Sequence, residues 1–311
     1  MSLSVVIPAF NEGTQIGVVV DEIREVGAAL VSEVIVVDDG STDDTAAVAE
    51  RHGARVVRMP RNGGYGAAVK AGLAHAASDF VLTLDGDGQH DPRDIRPLYD
   101  ERLHADLVIG ARPLLQASGA WRGLGKWLLR TTAEYLSRQR IPDLNSGLRL
   151  GRRDELARHA QICPDGFPFC DALAIVYLSY GKRVSFLPVE VRGRSGGEST
   201  IGIGTAFETA LSILDVIMLF NPARIFLPAS AVFVVAGFVW ALPYFFMGRG
   251  LSVGGLLLIL VGVLTFFFGL IAQQIALIRK ELIARAPPPP RAPTPTPAAP
   301  RPVAVSERAA P

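Results

Sequence analysis

The run Leu82-Thr83-Leu84-Asp85-Gly86-Asp87-Gly88-Gln89-His90-Asp91-Pro92 holds the residues best equipped for chemistry in this chain. Two carboxylates spaced i, i+2 follow an apolar stretch, and an amide stands two residues further on. Hard oxygen donors in that pattern suit a divalent cation such as Mg²⁺ or Mn²⁺. A cation there can bridge a pyrophosphate and neutralise charge developing on it. Taken alone, Asp-Gly is also ordinary turn chemistry. An EF-hand loop is excluded, because Arg96 stands where its closing Glu belongs and the preceding run reads as a strand.

Three other polar clusters end apolar runs. In Ile7-Pro8-Ala9-Phe10-Asn11-Glu12 the strand is expected to stop at Pro8; Phe10 can line a base pocket and Glu12 can accept from ribose or base. The same residues also read as a turn with a helix N-cap. In Val37-Asp38-Asp39-Gly40-Ser41-Thr42-Asp43-Asp44, Ser41 or Thr42 can cap the next helix with Asp44 in its first turn. Capping does not require Asp38 and Asp39, two like charges that favour a ligand donor such as a base N–H. In Arg61-Asn62-Gly63-Gly64-Tyr65-Gly66-Ala67-Ala68-Val69-Lys70 the glycines permit close backbone approach, and the helix start behind them favours negative charge. It is neither a dinucleotide fingerprint nor a P-loop, since it lacks the spacing of the first and the Gly-Lys-Ser/Thr of the second.

The elements that must position these clusters alternate. Val5-Val6-Ile7, Val34-Ile35-Val36-Val37, Val56-Val57 and Phe80-Val81-Leu82-Thr83-Leu84 are short, β-branched and almost wholly apolar, as strands buried on both faces are. Residues 12–30, 42–52 and 65–77 are long enough for crossover helices. The pattern predicts an α/β fold over residues 1–205 with a mostly parallel sheet, whose ligands sit beyond the carboxyl ends of the strands.

Residues 224–285 are a different material. Stretches 225–246 and 251–278 carry no charge, and each exceeds the roughly 20 apolar residues that cross a bilayer. The short turn Met247-Gly248-Arg249-Gly250 predicts an antiparallel hairpin. Arg224, Arg279, Lys280 and Arg285 flank the outer ends and only Arg249 lies in the turn, so the positive-inside rule puts the large N-terminal unit and the C-terminus in the cytoplasm. Residues 206–223, with Phe207, Leu211, Leu214 and Ile217, read as an interfacial segment or as a helix packed on the catalytic unit. Residues 286–311 contain ten prolines in 26 residues and predict an extended, disordered tail.

Net charge of +1 argues against a nucleic-acid partner. Cys163 and Cys170 have no partners at metal-ligand spacing and read as two reduced thiols. The N-terminus shows no basic region followed by an apolar run and cleavage site, so no secretory signal is expected.

Pro8-x-x-Asn11-Glu12, Val37-Asp38-Asp39-Gly40-Ser41-x-Asp43, Asn62-x-Gly64-x-Gly66 and Asp85-x-Asp87-x-Gln89, in this order, resemble the family 2 glycosyltransferases, which have the GT-A nucleotide-sugar-binding fold. Ile109-Gly110-Ala111-Arg112, Asp143-x-x-Ser146-Gly147-x-Arg149 and Arg194-x-x-Gly197-Glu198-Ser199, followed by two spans, are similar to the dolichyl- or undecaprenyl-phosphate sugar synthases within it. The resemblance implies a nucleotide-sugar site of Pro8, Phe10, Glu12, Asp39, Gly64 and Asp85, in which Asp39 and Glu12 hold the nucleoside and Asp85 lies near the ribose or diphosphate. Asp87 and Gln89 would ligate Mg²⁺ or Mn²⁺, and Arg112, Arg149 and Arg194 would surround the donor diphosphate or the acceptor phosphate, with Asp87 and these arginines as the catalytic set. Arg122, Lys126, Ser146 and Ser199 would serve the acceptor phosphate, with Trp121 and Trp127 at lipid headgroup depth. Phe10 replaces the family's usual tyrosine, and Thr200 replaces a lysine, a phosphate contact that Lys126 can supply instead.

The implied reaction is an inverting transfer from a nucleotide-sugar, GDP-mannose or a UDP-hexose, to polyprenyl phosphate at the cytoplasmic face of a membrane. A phosphate monoester is already anionic, so metal, arginines and in-line positioning carry catalysis. Asp143 and Asp171 are the candidate bases for a hydroxyl acceptor. Membrane lipids are the other implied partner, and a homo-oligomer is left open. A processive polysaccharide synthase is disfavoured, since the chain lacks Gln-x-x-Arg-Trp and two helices cannot enclose a polymer. A non-catalytic nucleotide-binding protein is disfavoured by the intact Asp85, Asp87 and Gln89, and a soluble nucleotidyltransferase leaves the hairpin idle.

Overall fold

The computed structural model describes residues 2–112, 142–143, 146–166, 168–192, 218, 222–248, 250, 252–285, 287 and 289–292. The β-branched runs form β1 (Leu3–Ala9), β2 (Val31–Asp38), β3 (Arg55–Arg58) and β4 (Phe80–Thr83); β5 (Leu107–Ala111), β6 (Arg149–Arg152) and β7 (Val184–Pro188) follow. Together they make one sheet in the order β3-β2-β1-β4-β6-β5-β7. β6 runs antiparallel to β4 and β5, and the other pairings are parallel.

Alternation along the strands splits the core into two layers. Val5, Ile7, Val34 and Val36 face α1 (Ile16–Gly27), α2 (Thr45–Arg51) and α4 (Ile95–Glu101). Val6, Ile35 and Val37 face α3 (Tyr65–His75), α5 (Arg153–Ala160) and α6 (Phe169–Ser179). Helices on both faces explain why the strands are apolar throughout. Each fully buried Val, Ile or Leu contributes about 1.5–3 kcal/mol, so Ile16, Val20 and Ile23 alone hold α1 firmly to the sheet.

Three local expectations need correction. β1 does not stop at Pro8 but runs to Ala9, pairing Pro8 with Val37 and Ala9 with Asp38. The proline instead ends the ladder to β4: Leu84 N donates to Val6 O at 3.1 Å, and the next group on that edge is Pro8, which has no N–H. β4 therefore parts from β1, and residues 84–91 are left to form a loop. The first helix starts at Ile16 rather than Glu12, because the amides of Asn11, Glu12 and Gly13 are taken by the side chains of Ser41, Thr45 and Asp43. The second begins at Thr45 with Asp44 at its N-cap and no side-chain cap bond; Asp43, not Ser41 or Thr42, accepts Thr45 N at 3.0 Å.

The C-terminal part is a hairpin of α7 (Ala223–Phe246) and α8 (Val253–Arg285), both long and apolar enough to cross a membrane. Only 17% of each apolar window is buried, unlike the core helix of a globular unit. Small residues set their spacing: a Cβ on Gly237 would lie 2.8 Å from Gly255 O, one on Gly262 would lie 2.6 Å from Val234 Cγ2, and Ser230 Oγ donates to Gly262 O at 2.8 Å. α8 begins two residues later than the expected span and continues past 278 to Arg285, so it reaches the sheet domain. Lys280 Nζ donates to Ser179 O at 2.6 Å and lies over the Tyr180 ring.

The proline-rich tail is not wholly detached. Arg153 Nη1 donates to Pro289 O at 3.0 Å, Arg291 Nη1 to Ala77 O at 2.7 Å and Ala292 N to Ala74 O at 2.7 Å. Proline lacks a donor but keeps its carbonyl, and that carbonyl is what Arg153 reads. The interfacial segment 206–223 lies almost wholly outside the described residues.

Candidate active site

The polar clusters meet at the carboxyl ends of β1, β2 and β4, the edge where ligands bind in open α/β sheets. Because β6 is antiparallel, the residues just before it, Ser146–Leu148 in position, come to the same edge.

Two loops are stitched together first. Asn11, at φ 57, uses its side-chain oxygen to accept Thr42 N at 2.8 Å, while its own N–H donates to Ser41 Oγ at 3.0 Å. Glu12 N donates to Thr45 Oγ1 at 2.9 Å and Gly13 N to Asp43 Oδ2 at 3.0 Å. Asn11, Ser41, Thr42 and Asp43 are thus committed to holding loop against loop. They leave the Phe10 ring 44% exposed at the mouth, with Glu12 half-buried beside it.

The like charges of Asp38 and Asp39 do not wait for a ligand. Asp38 Oδ1 accepts Ser41 N at 2.9 Å. Asp39 Oδ1 and Oδ2 accept Gly63 N and Gly64 N at 2.8 and 2.9 Å. Gly64, at φ 93, lies against residues 165–166, where a Cβ would meet Asp165 O at 2.7 Å. Each Asp39 oxygen keeps a second lone pair for a base donor.

Asp85 is held from three sides. Tyr65 OH donates to Oδ1 at 3.0 Å, His90 Nε2 stands 3.7 Å from Oδ2, and the carboxylate lies directly on the Cα of Gly147. Burial pushes the Asp85 carboxyl up, but His90, the Tyr65 hydroxyl and the Arg112 charge outweigh it, and its pKa lies below the usual carboxylate value. His90 is buried and bridges to Val191; the motifs contain His90, Tyr65 and Gly147 but carry no signal of a role for them at Asp85.

In the loop beyond, Asp87 Oδ1 accepts Gln89 N at 3.1 Å across Gly88, whose φ is 72. Arg192 N donates to Gln89 O at 2.9 Å, tying this loop to the segment after β7. Among the described residues no three His, Cys, Asp or Glu side chains form a metal-binding group. The oxygen donors Asp87 and Gln89 nonetheless fit Mg²⁺ or Mn²⁺, which are held by one or two carboxylates with phosphate and water completing the shell.

Arg112 follows β5 and grips Asp143: Nε donates to Oδ2 at 2.8 Å and Nη2 to Oδ1 at 3.3 Å. Burial works against the Arg112 charge, but Asp143 and Asp85 outweigh it and raise its pKa. Asp143 is thereby engaged as an ion-pair partner. Arg149 is 1% exposed, donates Nε to Ser146 O at 2.8 Å and lies under the crevice within electrostatic reach of Tyr65 and Cys170. Ser146 is buried, and its hydroxyl accepts Leu148 N at 3.3 Å. Asp171 is buried in the first turn of α6. Arg122, Lys126, Arg194 and Ser199, with Trp121 and Trp127, lie outside the described residues. Both cysteines are free and buried, and burial pushes their thiols up to about 12 for Cys163 and about 11 for Cys170.

Comparison with known proteins adds family matches, relatives and a solved structure. The family model "Glycosyl transferase family 2" matches residues 4–159, and "GtrB C-terminal hairpin" matches residues 221–278. A dodecaprenyl-phosphate galacturonate synthase of Rhizobium johnstonii is 30% identical over 70% of this chain, a match that spans 66% of that synthase. An undecaprenyl-phosphate 4-deoxy-4-formamido-L-arabinose transferase of Pseudomonas aeruginosa is 28% identical over 77% of this chain and 72% of its own. Among solved structures, glucosyl-3-phosphoglycerate synthase of Mycobacterium tuberculosis, in complex with Mn²⁺, UDP and glucosyl-3-phosphoglycerate, superposes with a TM-score of 0.58 at 26% identity, over 69% of this chain and 79% of that one. The same synthase has also been solved with Mg²⁺ and UDP.

Proposed function

The chain belongs to glycosyl transferase family 2, with its GT-A fold, and from that premise we propose that it transfers a sugar from a nucleotide-sugar to a polyprenyl phosphate. The observation that carries this reading is the position of α6. Its first residue, Phe169, packs on Tyr65 beside Asp85, with ring centroids 6.3 Å apart. Its last, Ser179, accepts from Lys280 at the end of the apolar stretch of α8. Eleven helical residues span about 16 Å, so the crevice stands within that reach of the hairpin's end. A lipid-linked phosphate at the edge of a bilayer lies within such a distance, and a relative whose match covers 77% of this chain carries an undecaprenyl-phosphate acceptor in its name.

In this reading the Phe10 ring and the Asp39 and Glu12 carboxylates receive the nucleoside, and Asp85 orients the ribose–diphosphate side. Asp87 and Gln89 hold a divalent cation, which when bound offsets the charge of the diphosphate. Arg112, clamped by Asp143, presents a fixed positive charge to phosphate oxygens, and Arg149 supports the floor from below. An acceptor phosphate oxygen forms the new bond to the anomeric carbon while the bond to the diphosphate breaks, with inversion. No proton has to be removed, because the acceptor is already anionic. The basic flanks Arg224, Arg279, Lys280 and Arg285 support an orientation with the sheet domain on the cytoplasmic side.

The test is transfer in liposomes, using undecaprenyl phosphate and a panel of radiolabelled GDP-mannose, UDP-glucose and UDP-galacturonic acid, with and without Mn²⁺. One donor should give chloroform-soluble label that EDTA abolishes. Label appearing only in water-soluble products would overturn the choice of acceptor.

A further inference from the structure

Tyr65 has no part in the reaction as described, yet it opens the helix whose first residues contact two of the donor-binding carboxylates, Asp39 and Asp85. We infer that Tyr65 is a positioning residue for the nucleotide-sugar, fixing the Asp85 carboxylate and linking its orientation to the seat of Asp39. The inference rests on the transferase reading of the crevice.

Three consecutive residues at the start of α3 do this work. The amides of Gly63 and Gly64 donate to the two oxygens of Asp39, from the end of β2. The next residue, Tyr65, donates its hydroxyl to Asp85 Oδ1 at 3.0 Å, from the end of β4. One rigid helix start therefore reads two carboxylates delivered by two different strands.

The Tyr65 ring has little freedom to move. Phe169 packs against it, and the adjacent Gly66 approaches the 164–165 backbone so closely that a Cβ there would stand 2.3 Å from Pro164 O. Lys70, one turn further along α3, anchors the helix to the same loop through Cys163 O at 2.7 Å and Asp165 Oδ1 at 2.6 Å. Asp85 is equally confined, with Gly147 against one face and His90 beyond Oδ2. Among the described residues, Tyr65 is the neutral hydroxyl donor in this clamp, and a phenylalanine would keep the ring packing while removing that donor.

A hydrogen bond to an ionised group sets the expected effect at roughly 10- to 100-fold. The experiment is a double-mutant cycle of Tyr65→Phe and Asp85→Asn in the full-length chain. It is read by Mn²⁺-dependent binding of UDP and of GDP in calorimetry, by donor and acceptor KM and kcat in the liposome assay, and by the melting midpoint. Tyr65→Phe is expected to weaken nucleotide binding or raise donor KM by that factor, to leave acceptor KM unchanged, and to add nothing in the Asp85→Asn background. Effects that multiply in the double variant would overturn the inference. So would a fall in kcat alone with both KM values unchanged, which is the mark of a smaller folded fraction. If nucleotides bind but no sugar reaches lipid, the transferase reading fails, while the binding cycle still decides the role of Tyr65.

Discussion

Gly147→Ala is a small substitution with a large expected consequence. A Cβ at this position would lie 2.1 Å from Asp85 Oδ1 and 2.4 Å from both Cγ and Oδ2. Real Cβ contacts begin near 3.0 Å, so the carboxylate must retreat from 2.1 to 3.0 Å, about 0.9 Å. The group that gives way is one short side chain that is itself confined, so folding should lose about 1–3 kcal/mol, the usual cost of overpacking. The retreat, however, disturbs the 3.0 Å bond from Tyr65 and misplaces a donor-binding oxygen. A misplacement of about 1 Å lowers turnover on the order of 100-fold, or about 2.7 kcal/mol in the barrier. The assay pairs initial rates of lipid-linked sugar formation with thermal melting of the same preparation. Gly147→Ala should melt a few degrees below the parent and show a kcat/KM for the donor roughly 100-fold lower. Full activity at an unchanged melting midpoint would refute the reasoning, since the Asp85 seat would then be irrelevant to transfer.

Other consequences can be checked more briefly. Burial lowers the His159 pKa, so the folded protein refuses a proton that the unfolded chain accepts below its ordinary value. Stability should therefore fall as pH drops through about 6.5, by up to about 1.4 kcal/mol per pH unit, and His159→Gln should melt with a shallower slope between pH 7.5 and 5.5. With thiols pushed up to about 11 and about 12, Cys170 and Cys163 should resist iodoacetamide at pH 8 in the folded protein and react within minutes in guanidinium, read by intact mass. Gly237→Leu places bulk against Gly255 O and Ile259 and should separate the hairpin, lowering the detergent-solubilised melting midpoint, whereas Val239→Leu on the exposed face should leave it unchanged.

Much of this architecture was legible because the physics acting on it is local. β1, β2 and β4 are apolar on both faces, as a doubly covered parallel sheet demands, and Tyr65 begins α3 where the glycine run predicted. The Asp85-x-Asp87-x-Gln89 pattern lies at a strand end for the same reason. β6 was not legible: Arg-Leu-Gly-Arg has charges at both ends, and it becomes a strand only because Thr83 and Ile109 offer edges on either side. The like charges of Asp38 and Asp39 looked unsatisfied because their partners, Ser41 N and the Gly63 and Gly64 amides, are backbone groups that carry no sequence signature. The role of His90 was not legible because its burial depends on Val191, about a hundred residues away. The docking of residues 289–292 was hidden likewise, since composition reports what a proline-rich segment cannot bury and not which carbonyls a distant arginine finds.

The measurement to make is the phosphorus count of the lipid product, by mass spectrometry and phosphorus NMR, after incubation of the full-length protein with its donor and undecaprenyl phosphate. Glycosyl transfer predicts one phosphorus joining sugar and lipid, with product absent for Asp87→Ala folded to the same melting midpoint. A product with two phosphorus atoms, or full product from Asp87→Ala, would contradict the reaction proposed for this crevice.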